Sequence, residues 1–312
     1  MAASPAVAGR RRGQARAAPR RLMASEQFAG WAFVTPGVAI ILLFGAVPIV
    51  WSAVMSFQRS NLLTPSTPFV GLSNYRQMVH DPVVQQAIMH TLVYTALFVP
   101  GTMVVGLFLA VAMNRQIRLL WLYRTAAYAT MAISTISEAL VFIWLFDPSY
   151  GIVNYLFSLL GISQQQFLNS PSQALYVIVV MTIWGWTGFA VVIYLAALQG
   201  VPQTLVEAAA IDGAGPWSTF RKVTLPLLSP ASLFLAVWLT INALQLFDEV
   251  YLSTQGGPLD ATTVLVYYLY EQAFQNFNFG YASAIAYFLF IVILVVTAIQ
   301  FRVGRRYTYY RS

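Results

Sequence analysis

Lys222 is the only lysine in the sequence, and it stands between Arg221 and Val223. A loop that cradles phosphates for nucleotide hydrolysis needs Gly-Lys followed by Ser or Thr, so this chain has no such loop. Cysteine is absent and the histidines are His80 and His90 alone. That excludes disulfides, thiolate chemistry and a His-rich metal centre; no residue is assigned to a metal. Glu138 is a lone carboxylate in a long apolar run, close behind Ser134, Thr135 and Ser137. An ionised carboxylate facing lipid is costly, so Glu138 faces protein or water. It either hydrogen-bonds a solute's hydroxyls or ties two helices together. Asn242 and Gln245 lie three apart in another run, on one face of a helix, where they line a path or bond across helices. Trp184 and Trp186 stack on a sugar ring or pack. His90 reads as structural or interfacial. Asp248 and Glu249 follow at the outer mouth of that second run and are expected to be solvated. An intramembrane enzyme would need paired catalytic groups in the runs, and one isolated Glu138 is no pair.

These residues sit in a chain that is 59% hydrophobic and 9% charged, against about 25% charged in soluble domains. Six apolar segments stand out, over Trp31–Phe57, Ala87–Met113, Trp121–Phe146, Leu175–Leu198, Leu227–Phe247 and Ala282–Phe301. Each is long enough to cross a hydrocarbon core as a helix, the form that satisfies its own backbone there. The expected fold is therefore all-α and integral to the membrane. Arg10, Arg11, Arg12, Arg16, Arg20 and Arg21 precede the first segment. Arg115, Arg118 and Arg124 join the second and third, Arg221 and Lys222 the fourth and fifth, and Arg302, Arg305, Arg306 and Arg311 follow the last. Only Arg59 and Arg76 fall on the other side. Positive charge marks the cytoplasmic face, so both termini are expected there. The basic balance then reflects topology; no basic stripe interleaved with aromatics points to nucleic acid.

Residues 1–30 read as a basic, disordered tail, 31–301 as the membrane domain and 302–312 as a second basic tail. Among the outer links, 58–86 is expected to hold a short helix near Asn74–Val79. The aromatic run VLVYYLYEQAF at 264–274 is expected along the membrane interface.

One polar stretch interrupts the apolar pattern, EAAAIDGAGPWSTFRKVTLP at 207–226. TLVEAAAI is rich in helix formers, and Pro202 suits a first turn. Gly213 tolerates the positive φ of a helix stop. Pro216 restarts a helix, Trp217 and Phe220 share a face, and Pro226 is expected to end it. Residues 199–226 therefore read as a cytoplasmic two-helix knob.

The segment resembles the EAA motif of the permeases of bacterial ATP-binding cassette (ABC) importers: Glu207, Ala208 and Ala209, then Gly213, then Val223-Thr224-Leu225-Pro226 with Val in place of Ile. FVGLSNY at 69–75, Arg124 and FDEVYLSTQGGP at 247–258 resemble the carbohydrate-uptake permeases of the maltose and glycerol-3-phosphate type. YATM at 128–131 departs from that pattern, where relatives often carry proline, and leaves the kink of span three open. The resemblance implies an ATP-driven, binding-protein-dependent importer for a sugar, sugar alcohol or glycerol-phosphate-type solute. It implies coupling to two ATPase subunits through Glu207, Ala208, Ala209, Asp212, Gly213, Phe220, Arg221, Leu225 and Pro226. ATP and Mg would be bound by those partners, leaving this chain no cofactor and no catalysis. A second permease subunit, an extracytoplasmic solute-binding protein and membrane lipid complete the partners. Ser137, Glu138, Trp184, Asn242 and Gln245 are the path candidates. The alternative is a secondary transporter or channel acting alone, which commonly shows inverted repeats; none is visible.

Overall fold

The computed structural model describes residues 20–61, 66–114 and 120–307. The cations at 10–16, 115, 118 and 311 lie outside them, as do residues 1–19 and 308–312 of the two expected tails. Residues up to Ser52 form one compact unit and Ala53 onward another.

In the first unit, α1 (Arg20–Ile41) runs through a wide π turn at Leu42–Ala46 into α2 (Val47–Ser56). Residues 20–30 are therefore helical, where disorder was expected up to residue 30. The stretch Leu22–Gln27 supplies Leu, Met, Ala, Glu and Gln, all good helix formers.

The second unit is built around α4 (Pro82–Met113) and α8 (Ala174–Gln199), which lie against each other along much of their length. The seam is made by small residues. A Cβ on Gly106 would stand 2.5 Å from the Cβ of Ala190, and one on Gly101 would stand 2.6 Å from the Ile183 side chain. In an apolar solvent, close packing of this kind is what holds helices together. Phe98, Ile178, Met181, Tyr194, Leu235 and Leu239 fill the core around the seam. α3 (Ser73–His80) precedes α4 where a short outer helix is expected. Its Asn74 is buried and donates to the carbonyls of Ser56 and Gln58 at 2.8 and 3.0 Å.

The third apolar run is not one helix. α5 (Leu120–Ala132) and α6 (Thr135–Leu145) meet at a 105° bend. Ser134 is extended between them, at φ −66° and ψ 141°, so the hydrogen-bond ladder stops and restarts without a proline. This corrects the continuous span expected over Trp121–Phe146. The link to α8 carries α7 (Ile152–Leu159).

After α8 come α9 (Gln203–Ile211), α10 (Pro216–Thr219), a π turn at Phe220–Thr224 and α11 (Leu225–Leu227). Pro226 therefore lies inside a helical stretch, a correction to its expected role as a terminator. The wide turn before it shifts the backbone bonding out of the register that a proline ring blocks. The chain bends by 63° only at Leu228, before α12 (Ser229–Leu244).

α13 (Asp248–Ser253) and α14 (Leu265–Tyr270) follow, and α15 (Phe279–Tyr307) ends the described chain. α14 packs into the protein, with Leu265, Tyr267 and Tyr268 buried. It is anchored to α4, where Leu265 N donates to Thr91 Oγ1 at 3.1 Å and His90 Nδ1 meets the Thr263 carbonyl at 3.0 Å. His90 is thus structural.

A second tie joins α4, α14 and α15. Asp81 caps α4 by accepting from Val83 N at 2.9 Å. Its other oxygen accepts from the hydroxyls of Tyr268 at 2.8 Å and Tyr281 at 2.7 Å. Burial opposes its charge, but the two phenols and the helix amides prevail and hold the carboxyl below its ordinary value.

Among the described residues, four helices are long and apolar enough to cross a membrane, and two bent pairs raise the number to six if each pair is one span. Among the described residues there is no strand, only the isolated bridges Gln58–Phe69 and Asn61–Asn278.

Two outcomes follow. Gly106→Leu should unseat α4 from α8, an overpacking worth about 1–3 kcal/mol, and lower the thermal midpoint of the detergent-solubilised protein; an unchanged midpoint would show that the seam tolerates bulk. A carboxyl whose value is depressed in the fold stabilises above its unfolded value, about 3.9, and loses that contribution as pH falls through the folded one. Thermal stability should therefore drop as pH is lowered below about 4. Asp81→Asn should be less stable at pH 7 and lose less on acidification, as read by melts from pH 7 to 3.

Candidate functional site

The polar segment folds into a knob of two short helices. α9 ends in a glycine turn: Gly213 takes φ +79°, its N–H donates to Ala210, and Ala214 N donates to the Ala209 carbonyl at 2.9 Å. Gly215 is extended and Pro216 opens the next helix. Trp217 and Phe220 stack at 5.7 Å between ring centroids. The two sides of the knob differ. Val206, Ala210, Thr219 and Phe220 turn inward, onto a cavity of about 560 Å³ that Val111, Asn114 and Leu198 close from α4 and α8. Glu207, Ala208, Asp212, Gly213, Arg221 and Leu225 are exposed, while Ala209 and Pro226 are half-buried. Ile211 and Trp217 also project, at 86% and 71% exposure. Apolar side chains this open beside charges of both signs form a surface suited to a protein partner.

The second region consists of two adjoining hollows of about 210 and 220 Å³. Thr135, Trp186 and Glu249 line both. The first is completed by Tyr94 and Phe98 from α4, by Asn242 and Gln245 near the end of α12, and by Asp248. The second is completed by Thr130 on α5, Glu138 on α6, and Gly185 and Phe189 on α8. The bend between α5 and α6 is what brings the first turn of α6, with Glu138, to this wall. Gly185 leaves the carboxylate its room, because a Cβ there would stand 2.5 Å from each of the oxygens of Glu138. Glu138 Oε1 is buried and has no hydrogen-bond partner. Trp186 is held edge-on by Phe98 and Phe189, with centroids 6.4 and 5.9 Å away. Asn242 donates to the Trp238 carbonyl at 2.8 Å.

Three path candidates therefore gather at the hollows: Glu138, Asn242 and Gln245. Two do not. Trp184 points elsewhere and packs on Phe142 at 5.6 Å, and Ser137 is exposed on the other side of α6. Glu249 was expected in solvent but faces both hollows. Burial pushes its carboxyl up, against its own backbone N–H, with the Asp248 charge adding to the rise. Thr135 and Gly185 went unassigned in the sequence, and Trp186, for which stacking or packing was expected, lines both hollows. A glycine between two tryptophans in an apolar run is a signal of close approach, and here the approaching group is Glu138.

A helical membrane chain with a polar interior hollow and an exposed two-helix knob belongs to the class of solute permeases. Residues 102–309 match the family described as "Binding-protein-dependent transport system inner membrane component", and the chain belongs to that family. It is 35% identical over 266 residues to a probable ABC transporter permease of Pyrococcus horikoshii, covering 85% of this chain and 91% of the relative. It is also 35% identical over 274 residues to the sn-glycerol-3-phosphate transport system permease protein UgpA of Yersinia pestis, covering 88% and 92%. A bacterial ABC transporter structure involved in import of the acidic polysaccharide alginate superposes with a TM-score of 0.82 at 25% identity, covering 93% of this chain and all of that one. The chain is thus an inner-membrane permease subunit of a binding-protein-dependent ABC importer. It is not an enzyme; separate ATPase subunits hydrolyse the ATP.

Proposed function

We propose that this chain forms half of the path by which an ATP-driven importer takes up a sugar, sugar alcohol or glycerol-phosphate-type solute, and that the knob at 199–226 is its coupling segment. The single observation that carries the coupling role is the two-sided knob. A glycine turn joins two short helices, one face lines a cavity together with α4 and α8, and the other leaves Glu207, Arg221 and Trp217 open. Such a body works as a lever: an ATPase subunit grips the open face, Glu207 pairs with one of its cations, and closure of two ATPases rocks the helices. The chain carries no nucleotide loop, so ATP and Mg belong to those partners. A second permease subunit supplies the other half of the path, and lipid covers the remaining apolar faces.

Six spans with both termini in the cytoplasm agree with the sorting of cations along the sequence. In that topology each bent pair counts as one span, 31–301 is the membrane domain, 1–30 and 302–312 are cytoplasmic, and the knob faces the ATPases. The path runs through the hollows, where Glu138, Asn242 and Gln245 meet the solute. The solute class rests on the FDEVYLSTQGGP stretch and on the glycerol-3-phosphate relative.

The test is uptake and ATPase activity in proteoliposomes holding the whole importer. Glu207→Ala should leave membrane insertion intact and lower uptake at least about tenfold, with binding-protein-stimulated hydrolysis lost. Gly213→Val places a β-branched residue at positive φ, costing about 1–2 kcal/mol at the turn, and should act the same way. Wild-type transport in both variants would remove the coupling role.

A further inference from the structure

We infer that, within the solute class proposed above, the hollows favour the neutral, hydroxyl-rich members over phosphate esters and other anions, with Glu138 and Glu249 making that selection together. The inference rests on the reading that the hollows belong to the translocation path.

Glu138 is 8% exposed and its Oε1 has no hydrogen-bond donor. A buried acceptor left without a donor is costly, so the missing donor is best supplied by what enters the hollow. Glu249 looks onto the same space from α13, and Asp248 stands beside it at the first hollow. Among the described residues, no lysine or arginine lines either hollow. The first turn of α6 offers a positive helix end, but Glu138 in that same turn already answers it.

A polyol suits these walls. Its hydroxyls donate to the carboxylates and exchange hydrogen bonds with the Asn242 and Gln245 side chains, and its C–H faces lie on the Trp186 ring. A phosphate ester carries about −1.5 to −2 charges at neutral pH and oxygens that mainly accept. It would meet an acidic wall that offers it no cation.

The test uses the assembled importer in lipid nanodiscs, without binding protein, so that the partner permease contributes its own wall. Saturation-transfer NMR reads weak binding of glycerol, maltose and sn-glycerol 3-phosphate. The wild-type complex should bind at least one neutral solute at least about tenfold more tightly than the phosphate ester. Glu138→Gln together with Glu249→Gln should bring that ratio to within about threefold. Gly185→Ala keeps the charge but displaces the Glu138 carboxylate, and should weaken neutral binding while the ester remains excluded. Equal binding of ester and neutral solutes by the wild type overturns the inference without need of any variant. So does an unchanged ratio in the double variant, or no transfer to any neutral solute while binding-protein-driven hydrolysis is intact. Absence of that hydrolysis with every loaded binding protein would instead remove the path and coupling readings.

Discussion

Everything in the second unit hangs on the seating of α4 against α8. Gly106 and Ala190 allow the two backbones to approach until no methyl group fits between them, and the rest of the core is laid around that seam. The pair also joins the two functional regions. α4 carries Tyr94 and Phe98 at the first hollow and Val111 and Asn114 at the cavity under the knob. α8 carries Gly185 and Trp186 at one end and Leu198 at the other. At a rise of 1.5 Å per residue the two regions lie roughly 20 Å apart along the same helices. The packed pair thus gives both regions a shared support.

Around that pair, the chain is interrupted beside the hollows and at the knob. The bend at Ser134 starts a fresh helix beside the hollow and so points Glu138 inward. The bend at Leu228 separates the knob from α12, and the π turn ahead of Pro226 lets the knob's second helix pass a proline. Each interruption frees backbone groups, which are tolerated only where protein or water can satisfy them. Polar groups and broken helices therefore occur together, and both mark the parts of the chain on which the proposed transport depends.

Much of this was legible in the sequence. Composition and the sorting of cations point to a helical membrane protein. Gly213 and Pro216 reveal the knob because positive φ and a first helical turn place strict demands on residue type. The EAA segment and the stretch ending in GGP identify the family. The break in span three was not legible, because Ile133 and Ser134 are ordinary residues and the bend comes from how α5 and α6 pack on α8. Trp184 and Trp186 could not be told apart either. α8 is apolar on every side, so its periodicity carries no phase and nothing local says which ring turns inward. Glu249 was misplaced for a related reason: a carboxylate just past an apolar run looks solvated until α13 folds back onto α6. In VLVYYLYEQAF, nothing local marks Tyr268 as the residue that ties α14 to Asp81, because its partner lies 187 residues away.

That tie has a consequence for the order in which the protein is made. Asp81 emerges from the ribosome 187 residues before Tyr268 and 200 before Tyr281. Until both have been synthesised, its second oxygen lacks the phenols that hold it in the finished fold. The nascent chain must therefore insert its earlier helices with this junction open to water, and the junction closes only when α14 and the start of α15 arrive. A product that ends before Tyr268 leaves that second oxygen without either phenol, and one that ends between Tyr268 and Tyr281 leaves it with one.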